Sequence, residues 1–213
     1  MNDDQEAIGS KLLKDMGIPQ ETWFVCVHNR ESGYDPEDDH FHSFRNFSFS
    51  DFYPSVDYIH SLGGVCVRMG DKTMAPSNYP GLIDYALSEY KSDFLDLYLA
   101  SKAKFFLGST SGASILSTIF DVPVALVNMT PFTSVAIGRN DISIPMHLKY
   151  IDSNKILSFK EILNSQIADI RTTEEWENNN IELIKNSPED ILELTKEQYA
   201  RIEGVYYEDQ DAN

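Results

Sequence analysis

The strongest chemical signal in the chain is a run of glycine and hydroxyl residues, Gly108-Ser109-Thr110-Ser111-Gly112-Ala113-Ser114. Glycine lets the backbone approach an anion closely. Hydroxyls and the exposed N–H groups of a following helix can then hold phosphate oxygens. The same string also suits a tight, capped turn with no ligand. It lacks the Gly-Lys-Ser/Thr ending of a P-loop. Its centre is Thr110, where a hydrolase nucleophile elbow needs serine. A second signal is His28-x-Arg30 at the end of an apolar stretch. Two residues apart on a strand share a face. Arginine grips phosphate through paired N–H groups, and a neutral histidine can bond a base or ribose. The plainer alternative is a surface loop in which Arg30 pairs with Glu31.

Further candidates follow the same logic. Arg68 and Asp71 close another apolar stretch; Arg68 would add positive charge, and Asp71 would act on a proton or cap the loop. Asp96 lies among Leu and Phe residues on a helical stretch. It either faces solvent or turns inward to accept hydrogen bonds from a base or ribose. His40 and His42 stand beside Asp38 and Asp39, but the spacing is loose for a metal site. No metal site is expected. Tyr206-Tyr207 reads as terminal packing.

The elements that must position these residues can be read from hydrophobic periodicity. Residues 6–16 read as a helix ended by Gly17-Ile18-Pro19. Short apolar strands are expected at 23–27, 65–69, 82–85, 104–107 and 123–127, with another near 148–151. Helices are expected at 52–62, at 92–103 with Ser92 as N-cap, from the Ser111 turn to about Phe120, and at 158–165, 173–185 and 188–202. Residues 31–46 and 128–147 read as loops. Continuous apolar strands alternating with helices indicate an α/β, Rossmann-like fold with a mostly parallel sheet covered on both faces. The expected layout is an N-terminal helix over 1–22, a Rossmann-like unit over 23–170, and acidic helices of the same domain over 171–213. In such folds ligands bind beyond the carboxyl ends of the strands, which is where the candidates cluster.

Bulk properties narrow the function classes. The formal charge of the 213 residues is −17, with twelve acidic and three basic residues from Thr172 onward. Such a surface opposes non-specific nucleic-acid binding and docking on anionic lipid. A small phosphorylated ligand needs only a local basic pocket. Cys26 and Cys66 lie in apolar runs and read as buried hydrophobes. No stretch of about 18 apolar residues is present. The polar, acidic start is unlike a signal peptide, so a cytoplasmic setting is expected.

In order and spacing, several blocks resemble the donor-binding, C-terminal half of fucosyltransferase-like GT-B glycosyltransferases, and more closely a bacterial glycosyltransferase family of that clan. They are residues 23–34 (WFVCVHNRESGY), 63–71 (GGVCVRMGD), 83–86 (IDYA), 91–96 (KSDFLD) and 106–114 (FLGSTSGAS). Together they span roughly residues 5–205. The resemblance implies that Arg30 binds the donor diphosphate and His28 lies near the nucleoside. It implies that Asp96 reads the base or ribose and that Ser109, Thr110 and Ser111 hold phosphate. Related enzymes often carry a second serine where Gly112 stands. The implied reaction is inverting transfer from a nucleoside-diphosphate sugar to a glycan or other hydroxyl acceptor, without metal or cofactor, in a setting such as surface polysaccharide synthesis. Arg30 would stabilise the leaving diphosphate, and Glu31, Asp35 or Asp71 would serve as base. A GT-B enzyme has two Rossmann-like halves. This chain has room for one, so the acceptor half would be missing, truncated, or supplied by a partner chain or oligomer. Two rival classes remain: a non-catalytic nucleotide-sugar-binding module, and a serine esterase using Ser109 or Ser111.

Overall fold

The computed structural model describes residues 1–133 and 138–205; Tyr206 and Tyr207 lie outside the described residues. Six strands form one parallel sheet: β1 (Phe24–His28), β2 (Val65–Arg68), β3 (Leu82–Ile83), β4 (Phe106–Gly108), β5 (Val124–Met129) and β6 (Ile142–Pro145). Their spatial order is β3-β2-β1-β4-β5-β6, and every pairing is parallel. The order runs outward in opposite directions from β1 and β4. This is the doubly wound Rossmann arrangement, whose switch point lies between those two strands.

Both faces of the sheet are buried, and alternate residues of each strand serve opposite faces. Phe24, Cys26, Val67, Phe106 and Val124 pack with α4 (Asp93–Lys102) through Leu95, Tyr98 and Leu99, and with Ile18 beyond α1 (Asp3–Asp15). Val25, Val27, Cys66, Leu107 and Ala125 pack on the other face, with α3 (Tyr53–Ser61) through Val56 and Ile59 and with α8 (Pro188–Ile202) through Ile191 and Leu194. Full burial on both sides is why the strands read as continuous apolar runs rather than alternating ones. The two cysteines are free, buried and on opposite faces, and burial pushes both thiols up from their ordinary pKa.

Three local expectations are corrected. Residues 31–46 contain a helix, α2 (Pro36–His42), capped by Asp35, whose carboxylate accepts from the amides of Glu37 and Asp38. Proline in its first turn and acidic residues at its start are ordinary helix openers. The stretch 128–147 contains β6, which completes the main sheet. The helix expected over 173–185 stops early, as α7 (Thr173–Asn178). Asn180 turns left-handed at φ 57°, and β8 (Ile181–Ile184) follows. That strand pairs antiparallel with β7 (His147–Tyr150), giving a small second sheet over its own core of Phe132, Leu148, Ile162 and Trp176. A short helix, α6 (Phe159–Leu163), lies beside it. Among the described residues no helix is long and apolar enough to cross a membrane.

Candidate functional site

A crevice of about 590 Å³ opens at the carboxyl ends of β1 and β4, over the switch point. On the β1 side stand His28, Asn29, Arg30 and Glu31; on the β4 side stand Ser111, Gly112 and Ala113 at the start of α5 (Gly112–Ile119). Asp71 enters from beyond β2, Asp96 from α4, and Arg45 from the segment after α2.

The junction of the two strand ends is close. The Ser109 amide donates to the His28 carbonyl at 3.3 Å. A Cβ on Gly108 would lie 2.3 Å from that same carbonyl oxygen, so only glycine lets β4 run this near β1. A Cβ on Gly112, by contrast, would meet nothing within 4 Å. Space therefore exists for a side chain at this position. The Ser111 hydroxyl lies 3.3 Å from His28 Nδ1. Desolvation, the Arg68 charge and then Arg30 and Arg45 push the His28 ring down to about 4, against the pull of Asp71. His28 is therefore a neutral hydrogen-bonding group near pH 7 and not a cation.

Two arginines supply positive charge. Arg30 donates from Nη2 to Asp38 at 2.8 Å, and Asp38 also holds His42 at 2.7 Å. The buried Nε of Arg30 has no partner among the described residues. Arg45 donates to the Thr110 carbonyl and likewise carries a buried, unpartnered Nε. Desolvation, and then the neighbouring Arg30, lower its pKa. Two guanidiniums close enough to oppose one another, each with an N–H unmet, form an electrostatic setting that an anion would relieve. Nothing in the local sequence marks Arg45 as a site residue. Tyr34 also lines the crevice and is 74% exposed.

The remaining candidates separate into groups. Asp96 faces the crevice and not open solvent; it accepts from Tyr85 Oη at 2.8 Å and pairs with Lys91. Ser109 is buried, and its hydroxyl has no partner among the described residues. Arg68 is fully buried and donates to Glu31 at 2.8 Å, to both oxygens of Asp84 at 3.2 Å and to the Ala75 carbonyl at 2.7 Å. The charge expected to reach the ligand from Arg68 is thus neutralised inside the scaffold. Glu31 is held on both oxygens, by Arg68 and by the Ala75 amide at 2.9 Å. Asp71 accepts from the amide and hydroxyl of Thr73 through one oxygen, which is the loop-capping alternative. Of the three proposed bases it has neither a cation partner nor a helix to cap among the described residues. No three His, Cys, Asp or Glu side chains converge on a metal-sized site among the described residues.

No protein-family model and no curated protein matches the chain. Among solved structures, the chain is similar to a glycosyl transferase of family 9 from Veillonella parvula DSM 2008, with a TM-score of 0.54 at 11% identity. The likeness covers 94% of this chain and 53% of the other, so the chain spans about half the length of that protein. At this identity the likeness is one of fold, and it does not single out the fucosyltransferase-like clan: the chain has the Rossmann-like α/β fold of the matched part of that protein.

Proposed function

We propose that this chain is the donor-binding half of a glycosyltransferase and takes a nucleoside-diphosphate sugar in the crevice over β1 and β4. The observation that carries the reading is the placement of Arg30 and Arg45, both with unmet N–H groups, beside the Ser109–Gly112 turn at the sheet's switch point. The diphosphate lies between these guanidiniums and the first amides of α5. Asp96, with Tyr85 and Lys91 behind it, receives the ribose or base. His28, neutral, bonds the nucleoside side of the ligand.

The reaction is displacement with inversion. An acceptor hydroxyl oxygen forms a bond to the anomeric carbon as the bond from that carbon to the phosphate oxygen breaks. The electron pair goes to the departing diphosphate, and the acceptor proton goes to a base. Arg30 and Arg45 stabilise the charge that grows on the leaving group, an effect larger in the transition state than in the ground state. Asp71 is the carboxylate best placed to take the proton. In this reading the arginines do the charge neutralisation that a metal ion does elsewhere, and no cofactor is needed. The setting is synthesis of a surface polysaccharide, with the acceptor bound by a half that lies outside these 213 residues.

One observation favours a second reading. Glu31 and Asp35, two of the three candidate bases, are engaged in structure. A module that binds the donor without transfer fits that fact. The esterase reading is weakened, since Ser109 is buried and the ring beside Ser111 is held near pKa 4, too weak a base to activate a hydroxyl.

Thermal melting in the presence of GDP, UDP, CMP and TDP tests the binding claim shared by both readings. One nucleotide is expected to raise the melting temperature while the others do little. No shift with any of them, at millimolar concentration, would remove the basis for the proposal. Release of the nucleoside diphosphate from the matching sugar nucleotide, dependent on an acceptor, then separates transfer from binding alone.

A further inference from the structure

We propose that a second cavity, of about 470 Å³, is a binding site for a pyranose ring; the inference rests on the glycosyltransferase reading above. This cavity shares Glu31 with the crevice, so the two adjoin. Its size falls within the range of small-molecule sites, roughly 300–1,000 Å³.

The lining has the chemistry of sugar recognition. Tyr53 stacks on Tyr79 with ring centroids 3.9 Å apart and planes 8° apart, which fixes its orientation. Phe49 meets Tyr53 edge to face at 6.2 Å. Phe49 is 6% exposed and carries the Arg68 guanidinium over its ring, so Tyr53 is the ring that offers a flat apolar face for the C–H side of a sugar. Hydroxyls stand around it: Ser48 and Ser50 Oγ are 2.8 Å apart, and Ser77 Oγ is 3.3 Å from Tyr53 Oη. Each hydroxyl can rotate to donate or accept, which suits a ligand made of hydroxyls.

Charge excludes a phosphate. Arg68 is the cation in the lining, and Glu31 and Asp84 already neutralise it. A neutral ligand therefore fits where an anion does not. Two of the lining residues also carry unmet polar atoms. Arg68 Nε, on a side chain 1% exposed, and Asn46 Oδ1 are buried without a partner among the described residues. One is a donor and one an acceptor, and a buried group in either state calls for a partner.

The test is saturation-transfer NMR on the full chain with free glucose, galactose, mannose, fucose and N-acetylglucosamine. Ring-proton signals from at least one sugar are expected in the wild type. They should be lost in Ser50→Trp, which fills the cavity, and in Tyr53→Ala, which removes its stacking face. Both variants should keep wild-type affinity for the nucleotide found by melting; should one fail to fold, the other carries the comparison. Absence of signal in the wild type, or its survival in both variants, overturns the proposal. The source of the ring is read in the same series. Weaker binding of the sugar nucleotide, but not of the nucleotide, in Ser50→Trp identifies the donor's own sugar. Unchanged binding of both identifies an acceptor. Sugar signals that depend on Ser50 and Tyr53 with no nucleotide binding at all would leave this cavity standing and sink the crevice reading.

Discussion

Arg30→Ala is expected to weaken binding of the nucleoside diphosphate by about 10- to 100-fold, with little loss of stability. A hydrogen bond to a charged group contributes about 1.5–3 kcal/mol, and about 1.4 kcal/mol is a factor of ten in Kd. The guanidinium is 14% exposed and anchored on one edge by Asp38 at 2.8 Å, while its Nε remains unpartnered among the described residues. It is therefore held in place for a ligand without being used up by its scaffold. The pair it forms with Asp38 is partly open to solvent, and pairs of that kind contribute at most about 1 kcal/mol to folding. Arg30→Lys should recover only part of the affinity, because a single ammonium cannot reproduce a planar fork of donors. Calorimetric titration of the two variants checks this. Equal affinities in wild type and Arg30→Ala would place the diphosphate elsewhere.

Arg68→Ala should behave in the opposite way, with a loss of stability of about 3–5 kcal/mol. The Arg68 guanidinium sits between Glu31 and Asp84, donates to the Ala75 carbonyl, and lies 4.7 Å above the centre of the Phe49 ring. Removing it leaves two half-buried carboxylates facing each other without a cation. Breaking one side of such a network costs far more than the network itself contributes, since the remaining charges stay desolvated. Urea unfolding measures the loss. Adding Glu31→Gln and Asp84→Asn to Arg68→Met should restore much of the stability, because the stranded charges are then gone. A loss under about 1 kcal/mol for Arg68→Ala would mean that water reaches the network freely.

These two arginines show what the sequence could and could not convey. Both end an apolar strand and both were candidates for the ligand. Their difference lies in partners that come from distant segments: Asp84 closes over Arg68 from beyond β3, whereas only Asp38 of the adjacent α2 holds Arg30. Strand ends were legible because burial on both sheet faces leaves an unbroken apolar run. The turn at Gly108–Gly112 was legible from its glycines and hydroxyls, and Gly108 stands where a Cβ would lie 2.3 Å from the His28 carbonyl oxygen. By contrast, β6 reads Ile142-Ser143-Ile144-Pro145 and β8 holds Glu182 between Ile181 and Leu183, so neither shows an unbroken apolar run. Helix α2 was hidden because its residues are almost all polar, although Asp35-Pro36 marks its start. Arg45 was invisible as a site residue, since nothing local marks a loop arginine that folds back onto the carbonyl of Thr110, 65 positions later.

Asp96 illustrates a different limit. Periodicity placed it on a helix whose neighbours face the core, and a lone carboxylate there is ordinarily turned to water. Tyr85 and Lys91, from the segment before α4, instead hold it at the crevice. Only the packing of that segment against the helix start decides the matter.

The most direct measurement is a crystal structure of the chain with the nucleoside diphosphate that stabilises it. The account predicts electron density for the two phosphates between Arg30, Arg45 and the amides of Ser111 and Gly112, with the ribose toward Asp96. Phosphate density elsewhere on the molecule, with this crevice holding only water, would contradict it.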